Sequence, residues 1–210
     1  MVTDVRKARD DARRQRTRGT LIDAGNKVMT TRGYHRTLIS DIVEAAGVGQ
    51  GTFYRHFESK RDLFQEMFET FVGDLMGEFD GFSANLPTNE REYRVASQVA
   101  VTEVGRRLHS RRDLARMFLR EGPSIDQLFE ETLDEVYDQF AALASAYLKH
   151  AIEAGFARPC NAEVVAQCLV GMAQRQIVRS LGDALEEQDV DALAEEAITF
   201  AFEAIGMGVN

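Results

Sequence analysis

Cysteine is scarce in this 210-residue chain: Cys160 and Cys168 are the only two. So few cannot build a disulfide framework. A single bridge is all the count permits, and two reduced thiols at helix or helix-end positions are expected instead. No run approaches the roughly 18 consecutive apolar residues of a membrane-spanning helix, so no membrane partner is expected. The opening stretch MVTDVRKARDDARRQRTRG is charged and has no apolar centre, which excludes a secretory signal and points to a cytoplasmic protein. The four histidines (His35, His56, His109, His150) are scattered, with no close pair at ligand spacing, so neither a metal nor another cofactor is expected. The chain lacks a nucleophile elbow, a phosphate-cradling glycine loop and a zinc-protease helix motif. No catalytic residue is therefore assigned and no enzyme is expected; the many helical carboxylates are explained by an acidic face. Alternating strand patterns, short tandem repeats and low-complexity tracts are also missing.

What the sequence does carry is helical periodicity and an uneven charge. Net charge is −9, which alone argues against nucleic acid. Its distribution reverses that reading. Residues 1–61 hold 13 Lys and Arg against 7 Asp and Glu, whereas the remainder holds 12 against 27. A basic head on an acidic body is the asymmetry expected of a DNA reader whose contacts are confined to the head. The fold class predicted is all-α with about nine helices: a helix-turn-helix domain of three helices over 1–59 and a helical ligand-binding and dimerisation domain over 60–210.

The first helix is expected from about Ala12 to Thr31, after a loosely ordered tail over 1–12. Arg13, Arg14, Arg16 and Arg18 crowd its start, where positive charge opposes the macrodipole. Nearby phosphates would offset that, and a solvated face is the competing reading. Later helices are expected over about 60–79, 89–109, 114–121, 124–154 (capped by Ser124), 161–181 (capped by Asn161) and 189–205. Asp80–Pro87 and Gly182–Gln188 read as loop and linker.

The stretch TLISDIVEAAGVGQGTFYRHFESK, Thr37 to Lys60, organises the head. Thr37 can cap a helix through its hydroxyl. Ile39, Ile42, Val43 and Ala46 then make one apolar face, and Gly47 suits a left-handed helix end. Phe53 and Phe57, four apart, face the core of a second helix. That leaves Gln50, Gly51, Thr52, Tyr54, Arg55 and His56 on the presented surface of a helix-turn-helix. Gln50 can pair with adenine in two-point fashion, and Arg55 with guanine or a phosphate. His56 and Lys60 suit phosphates, which fix register without reading sequence.

ISDIVEAAGVGQGTFYRHFESKRDLF resembles the DNA-binding segment of the tetracycline-repressor (TetR) family of bacterial transcriptional regulators. The resemblance rests on Ala45-Ala46-Gly47-Val48, Gly51-Thr52-Phe53-Tyr54, His56-Phe57, Lys60 and Leu63, and it covers about Arg13 to Phe71. One departure is Gly49, where family members usually carry Ser. The resemblance implies DNA contacts at Thr37, Gln50, Gly51, Thr52, Tyr54, His56 and Lys60, with Phe53 and Phe57 structural. It also implies a homodimer formed by the last two major helices. Here those helices offer Val165, Cys168, Leu169 and Met172, then Leu193, Ala197, Ile198, Ala201, Phe202 and Ile205.

Aromatic and sulfur side chains on the body helices supply the expected pocket for a small, largely hydrophobic effector: Phe68, Phe71, Leu75, Met117, Phe118, Tyr137, Phe140, Met172 and, as a polar anchor, Gln176. Gln174 and Arg179 are either buried with partners or exposed. The function expected is a dimeric repressor on a palindromic double-stranded operator, released by that effector. Competing readings are a helical enzyme or ligand carrier with a vestigial head, and an activator or sequence-tolerant DNA-binding protein.

Overall fold

The computed structural model describes residues 2–79, 86–182 and 186–207. Among them are nine α-helices: α1 (Val2–Arg32), α2 (Ile39–Ala46), α3 (Gln50–Phe53), α4 (Lys60–Met76), α5 (Glu90–Ser110), α6 (Arg112–Arg120), α7 (Gln127–Glu153), α8 (Ala162–Ser180) and α9 (Glu187–Ala204). Two 3₁₀ turns, Gly77–Phe79 and Gly122–Ser124, join them. The all-α fold expected from periodicity is the fold observed. Most of the expected loop and linker, residues 80–85 and 183–185, lies outside the described residues.

Three boundaries differ from expectation for identifiable reasons. Residues 2–12 are helical rather than loose, because the arginines, Lys7, Ala8 and Ala12 there are good helix formers. Ser124 does not cap α7. Pro123 holds it in a 3₁₀ turn, where its hydroxyl donates to the Glu121 carbonyl at 2.6 Å. The cap is Asp126, whose carboxylate accepts the Phe129 N–H at 2.8 Å. Asn161 caps α8 as expected, accepting from the Glu163 and Val164 amides.

The chain divides into two compact units, Met1–Phe71 and Val72–Asn210. The division falls inside α4 rather than at residue 59, because the first turns of α4 complete the core of the head. Phe64 meets Tyr34 edge-on, with ring centroids 4.9 Å apart. Gly25 on α1 admits α4 closely. A Cβ there would lie 2.9 Å from Leu63 Cδ2 and 3.1 Å from Met67 Sδ, so a side chain at position 25 would force the two helices apart.

In the second unit α5 lies along α9 and α7 along α8. One cluster of Tyr93, Leu148, Ala151, Ile198, Phe202, Ile205 and Met207 is buried there, and Tyr93 stacks on Tyr147 at 4.5 Å. Two arginines fix the end of α9. Arg94 donates to the Met207 carbonyl at 2.6 Å and lies over the Phe202 ring, and Arg158 donates to the Ala204 carbonyl at 3.0 Å.

This core corrects the interface expected from sequence. Ile198, Phe202 and Ile205 are buried within the chain, and Val165 and Ala201 pack against the same cluster. Ile198, Phe202 and Ile205 are thereby committed to α5 and α7 and present nothing to a second copy, whereas Val165 and Ala201 are only half-buried. Leu169 is half-buried. Leu193 (42% exposed) and Ala197 remain outside on α9, with Cys168 and Met172 (40%) on α8. Phe200 (53%) and Val164 (53%), absent from the expected set, share those exposed faces.

Candidate nucleic-acid interface

The turn between α2 and α3 is set by Gly47, which adopts φ 66° and ψ 31°. That left-handed conformation is strained for any residue with a Cβ. It lets the Gly47 amide donate to the Glu44 carbonyl and the Val48 amide to the Val43 carbonyl, closing α2. Gly49 precedes α3 in an extended conformation and offers no side-chain cap.

α3 is a single helical turn, continued by tight turns to Phe57. Its amides are satisfied within the segment: Tyr54 donates to Gln50, His56 to Phe53 and Phe57 to Phe53. Phe53 and Phe57 are buried, anchoring one side as the spacing predicts. Gln50, Gly51 and Arg55 are exposed, Tyr54 is 57% exposed, and Thr52 and His56 are half-buried. The Arg55 guanidinium donates to the Thr52 hydroxyl at 2.9 Å, so these two expected contact residues form one polar unit. The surface therefore offers an amide, a phenol, a hydroxyl and a guanidinium around a glycine that admits close backbone approach. That is the donor and acceptor set which base edges and phosphates require.

Two expected contact residues are placed differently. Thr37 is fully buried, and its hydroxyl donates to the Gly33 carbonyl at 2.8 Å. It neither caps α2 nor exposes a group to a duplex. The N-cap is Leu38, 63% exposed, whose amide donates to Asp41 Oδ2 at 2.9 Å. The Asp41 carboxyl is held below the usual range by that N–H and by Arg32, 2.7 Å away.

Lys60 turns inward. Its Nζ donates to the Tyr34 carbonyl at 2.7 Å and to the Thr37 carbonyl at 2.8 Å, and it lies 4.2 Å from the Tyr34 ring centroid. Burial lowers its pKa. Two of its three donors thus tie α4 to the loop before α2, and one N–H is left for an anion.

A second tether, missed from sequence, is Arg18. It grips the Glu66 carboxylate through two nitrogens, donates to the His56 carbonyl at 2.6 Å and covers the Phe57 ring at 4.4 Å. One side chain of α1 thereby holds both α4 and the end of the recognition segment. The available signal was an arginine one turn before Leu21, at the edge of the apolar face. Burial is the main reason that His56 has a lowered pKa. Arg14, Arg18 and Arg55 add to the effect, and Glu66 opposes it. The ring's Nδ1 is buried with no hydrogen-bond partner among the described residues.

The expected effector residues are spread over both units. Phe68 and Phe71 are buried in the first. Leu75, Met117 and Phe118 are buried in the second, and Tyr137 and Phe140 are half-buried there. Met172 and Gln176 are exposed and line no interior, because they fall on the outer face of α8. Gln174 is half-buried on α8, near the Tyr137 hydroxyl. Both cysteines are free thiols. No described helix is long and apolar enough to cross a membrane.

The family model of bacterial regulatory proteins of the tetR family matches residues 21–67. The HTH-type transcriptional regulator AcrR of Shigella flexneri is 31% identical over 156 residues, which cover 71% of this chain and 70% of that one. The uncharacterized HTH-type transcriptional regulator YhgD of Bacillus subtilis (strain 168) is 26% identical over 148 residues, 70% of this chain and 74% of the relative. Among solved structures, the transcriptional regulator FadR from Bacillus subtilis, in complex with stearoyl-CoA, superposes with a TM-score of 0.72 at 18% identity, covering 91% of this chain and 98% of that one. That likeness shows a shared fold. The matched segment contains the whole turn from Gly47 to Phe57, Lys60, and the Glu66 that Arg18 grips, and the similarity to AcrR continues far into the second unit; the chain belongs to the tetR family of bacterial transcriptional regulators.

Proposed function

We propose that this regulator is a dimeric repressor which binds a palindromic operator through Gln50, Gly51, Thr52, Tyr54, Arg55 and His56 and is released by a small, largely hydrophobic effector. The observation that carries the DNA contact is the division of the recognition segment. Phe53 and Phe57 are sunk in the head, while Gln50, Tyr54 and Arg55 stand in solvent. Lys60 adds its remaining N–H to a phosphate while holding the loop before α2.

A dimer is supported by geometry of reading. One recognition segment spans few base pairs, whereas two set about 34–36 Å apart read successive major grooves. The surface for it is the outer face of α9, with Leu193, Ala197 and Phe200 at helical spacing, together with Val164, Cys168 and Met172 on α8. The effector reading is supported by the acyl-CoA found with the FadR neighbour and by the Tyr137–Gln174 pair, which sets a polar group beside aromatic side chains. Release requires that the effector bind the DNA-free state more tightly than the DNA-bound one. No catalytic step is assigned, and the site of action is the cytoplasm.

The test is selection of duplexes from a random pool at stated salt. Enrichment of one inverted repeat is expected. If no sequence is enriched and binding collapses at modest salt, only the electrostatic component exists and the reading fails.

A further inference from the structure

α1 does not end at the reading surface. Arg18 touches the end of the recognition segment through the His56 carbonyl. From there the helix continues N-terminally to Val2, more than four turns beyond. This extension precedes the segment that the family model matches, which begins at residue 21.

Four arginines lie along it at positions 6, 9, 13 and 16. Steps of three, four and three residues put them on one helical face, over a length of about 15 Å. All four are exposed, and none closes an ion pair among the described residues. Arg16 donates only to the Ala12 carbonyl of its own helix. This face lies roughly opposite Met29, which is buried in the head. The stripe also occupies the N-terminal half of the helix, where the macrodipole disfavours cations unless an anion compensates. Every member is arginine, the side chain whose planar fork matches phosphate oxygens.

Resting on the DNA-binding function proposed above, we infer that the face of Arg6, Arg9, Arg13 and Arg16 is a rigid basic rail that binds the DNA phosphate backbone flanking the base pairs read by α3. It adds affinity and no sequence preference, because phosphate contacts carry no base information. The competing acidic surface is the body of another copy, since residues 62–210 hold 27 Asp and Glu against 12 Lys and Arg.

The experiment uses the full chain and the duplex recovered by selection, with and without about 10 flanking base pairs (one helical turn) on each side. Affinity is measured across a salt series for the wild type, for R6Q/R9Q/R13Q/R16Q, and for R6K/R9K/R13K/R16K. The glutamine variant should lose about tenfold or more at 100 mM salt, and its log K against log[salt] slope should flatten by roughly 0.9 for each phosphate it no longer neutralises. Its preferred sequence should be unchanged, and trimming the flanks should weaken the wild type but not this variant. The lysine variant should keep most of the slope. Thermal melts check that the exposed substitutions leave the fold intact. An unchanged slope, or flank trimming that affects both proteins equally, overturns the rail. A glutamine variant that alters oligomeric state instead of the salt slope assigns the face to a second copy and also overturns it. If no duplex is enriched for the wild type, the regulator reading itself falls and the rail with it.

Discussion

The two units of this chain divide their cations differently between carboxylates and solvent. In the second unit, arginines close on carboxylates: Arg106 on Asp191 through two nitrogens at 2.8 and 2.7 Å, Arg111 on Asp74, and Arg116 on Asp113. Their charge is neutralised locally; the first two pairs link separate segments, and the third lies within α6. In the first unit, Lys60 is spent on two backbone carbonyls, Arg18 is shared between the Glu66 carboxylate and the His56 carbonyl, and Arg32 pairs with Asp41, while Arg6, Arg9, Arg13, Arg16 and Arg55 stay in solvent. Carbonyl acceptors hold a cation in place without cancelling its charge. Lys60 therefore ties the head together while remaining positive, and the exposed arginines keep their charge for phosphates. The body relies on apolar burial and paired charge.

The largest expected effect tests the apolar side of that contrast. Phe202→Ala removes a buried ring from the body core and should cost about 3–5 kcal/mol of stability, seen as a large drop in urea midpoint. A loss below about 1 kcal/mol would show that the cluster of Tyr93, Phe202 and Ile205 is not the main support. Lys60→Met comes next. It strands the Tyr34 and Thr37 carbonyls, and with charged hydrogen bonds contributing about 1.5–3 kcal/mol each, operator affinity should fall by roughly 100-fold or more. Near-normal binding would mean that the tether does not shape the reading surface. Tyr54→Ala should leave the melting temperature unchanged, since the ring is 57% exposed. It should reduce discrimination between operator and mismatched duplex by about 1–3 kcal/mol.

The smallest effects are in pH, and they should divide the units. Burial and three nearby arginines lower the His56 pKa, so the unfolded head binds more protons than the folded head below about pH 6.5. Head stability should decline as pH falls through that value towards the lower folded one, and His56→Gln should flatten the decline. In the body, burial raises the Tyr147 hydroxyl to about 12. Its contribution is full below pH 10 and is lost as pH rises from about 10, the unfolded value, to about 12. Tyr147→Phe should remove that alkaline loss. Reversal of either trend would show that the two rings are not in the environments described.

The sequence was most legible where local chemistry decides. Gly47 reads as a left-handed helix end because few other residues tolerate φ 66°. Asn161 reads as a cap because its side chain reaches two amides of the next turn. The spacing of Phe53 and Phe57 places the segment's inner side. Legibility ended where two partners compete for one face. Thr37 has the chemistry of a cap, yet the Gly33 carbonyl takes its hydroxyl and Leu38 occupies the cap position. On α9, Ile198, Phe202, Ala197 and Phe200 are all small or apolar. Only packing on α5 and α7 reveals that the first two are inside and the last two outside. On α8, Gln174 and Gln176 differ by two positions and so by roughly half a turn, which periodicity over a mixed segment did not resolve.

The recognition helix has only four residues, Gln50–Phe53. Helix nucleation fixes several residues for one hydrogen bond, and isolated segments shorter than about 12 residues hold little helix in water. A synthetic peptide spanning Gly47 to Lys60 would thus carry every reading side chain and still present no reading surface. What recognises the operator is the arrangement imposed by Arg18, Lys60 and the sunken phenylalanines, so it cannot be excised, grafted as a strip or mimicked by its own sequence alone.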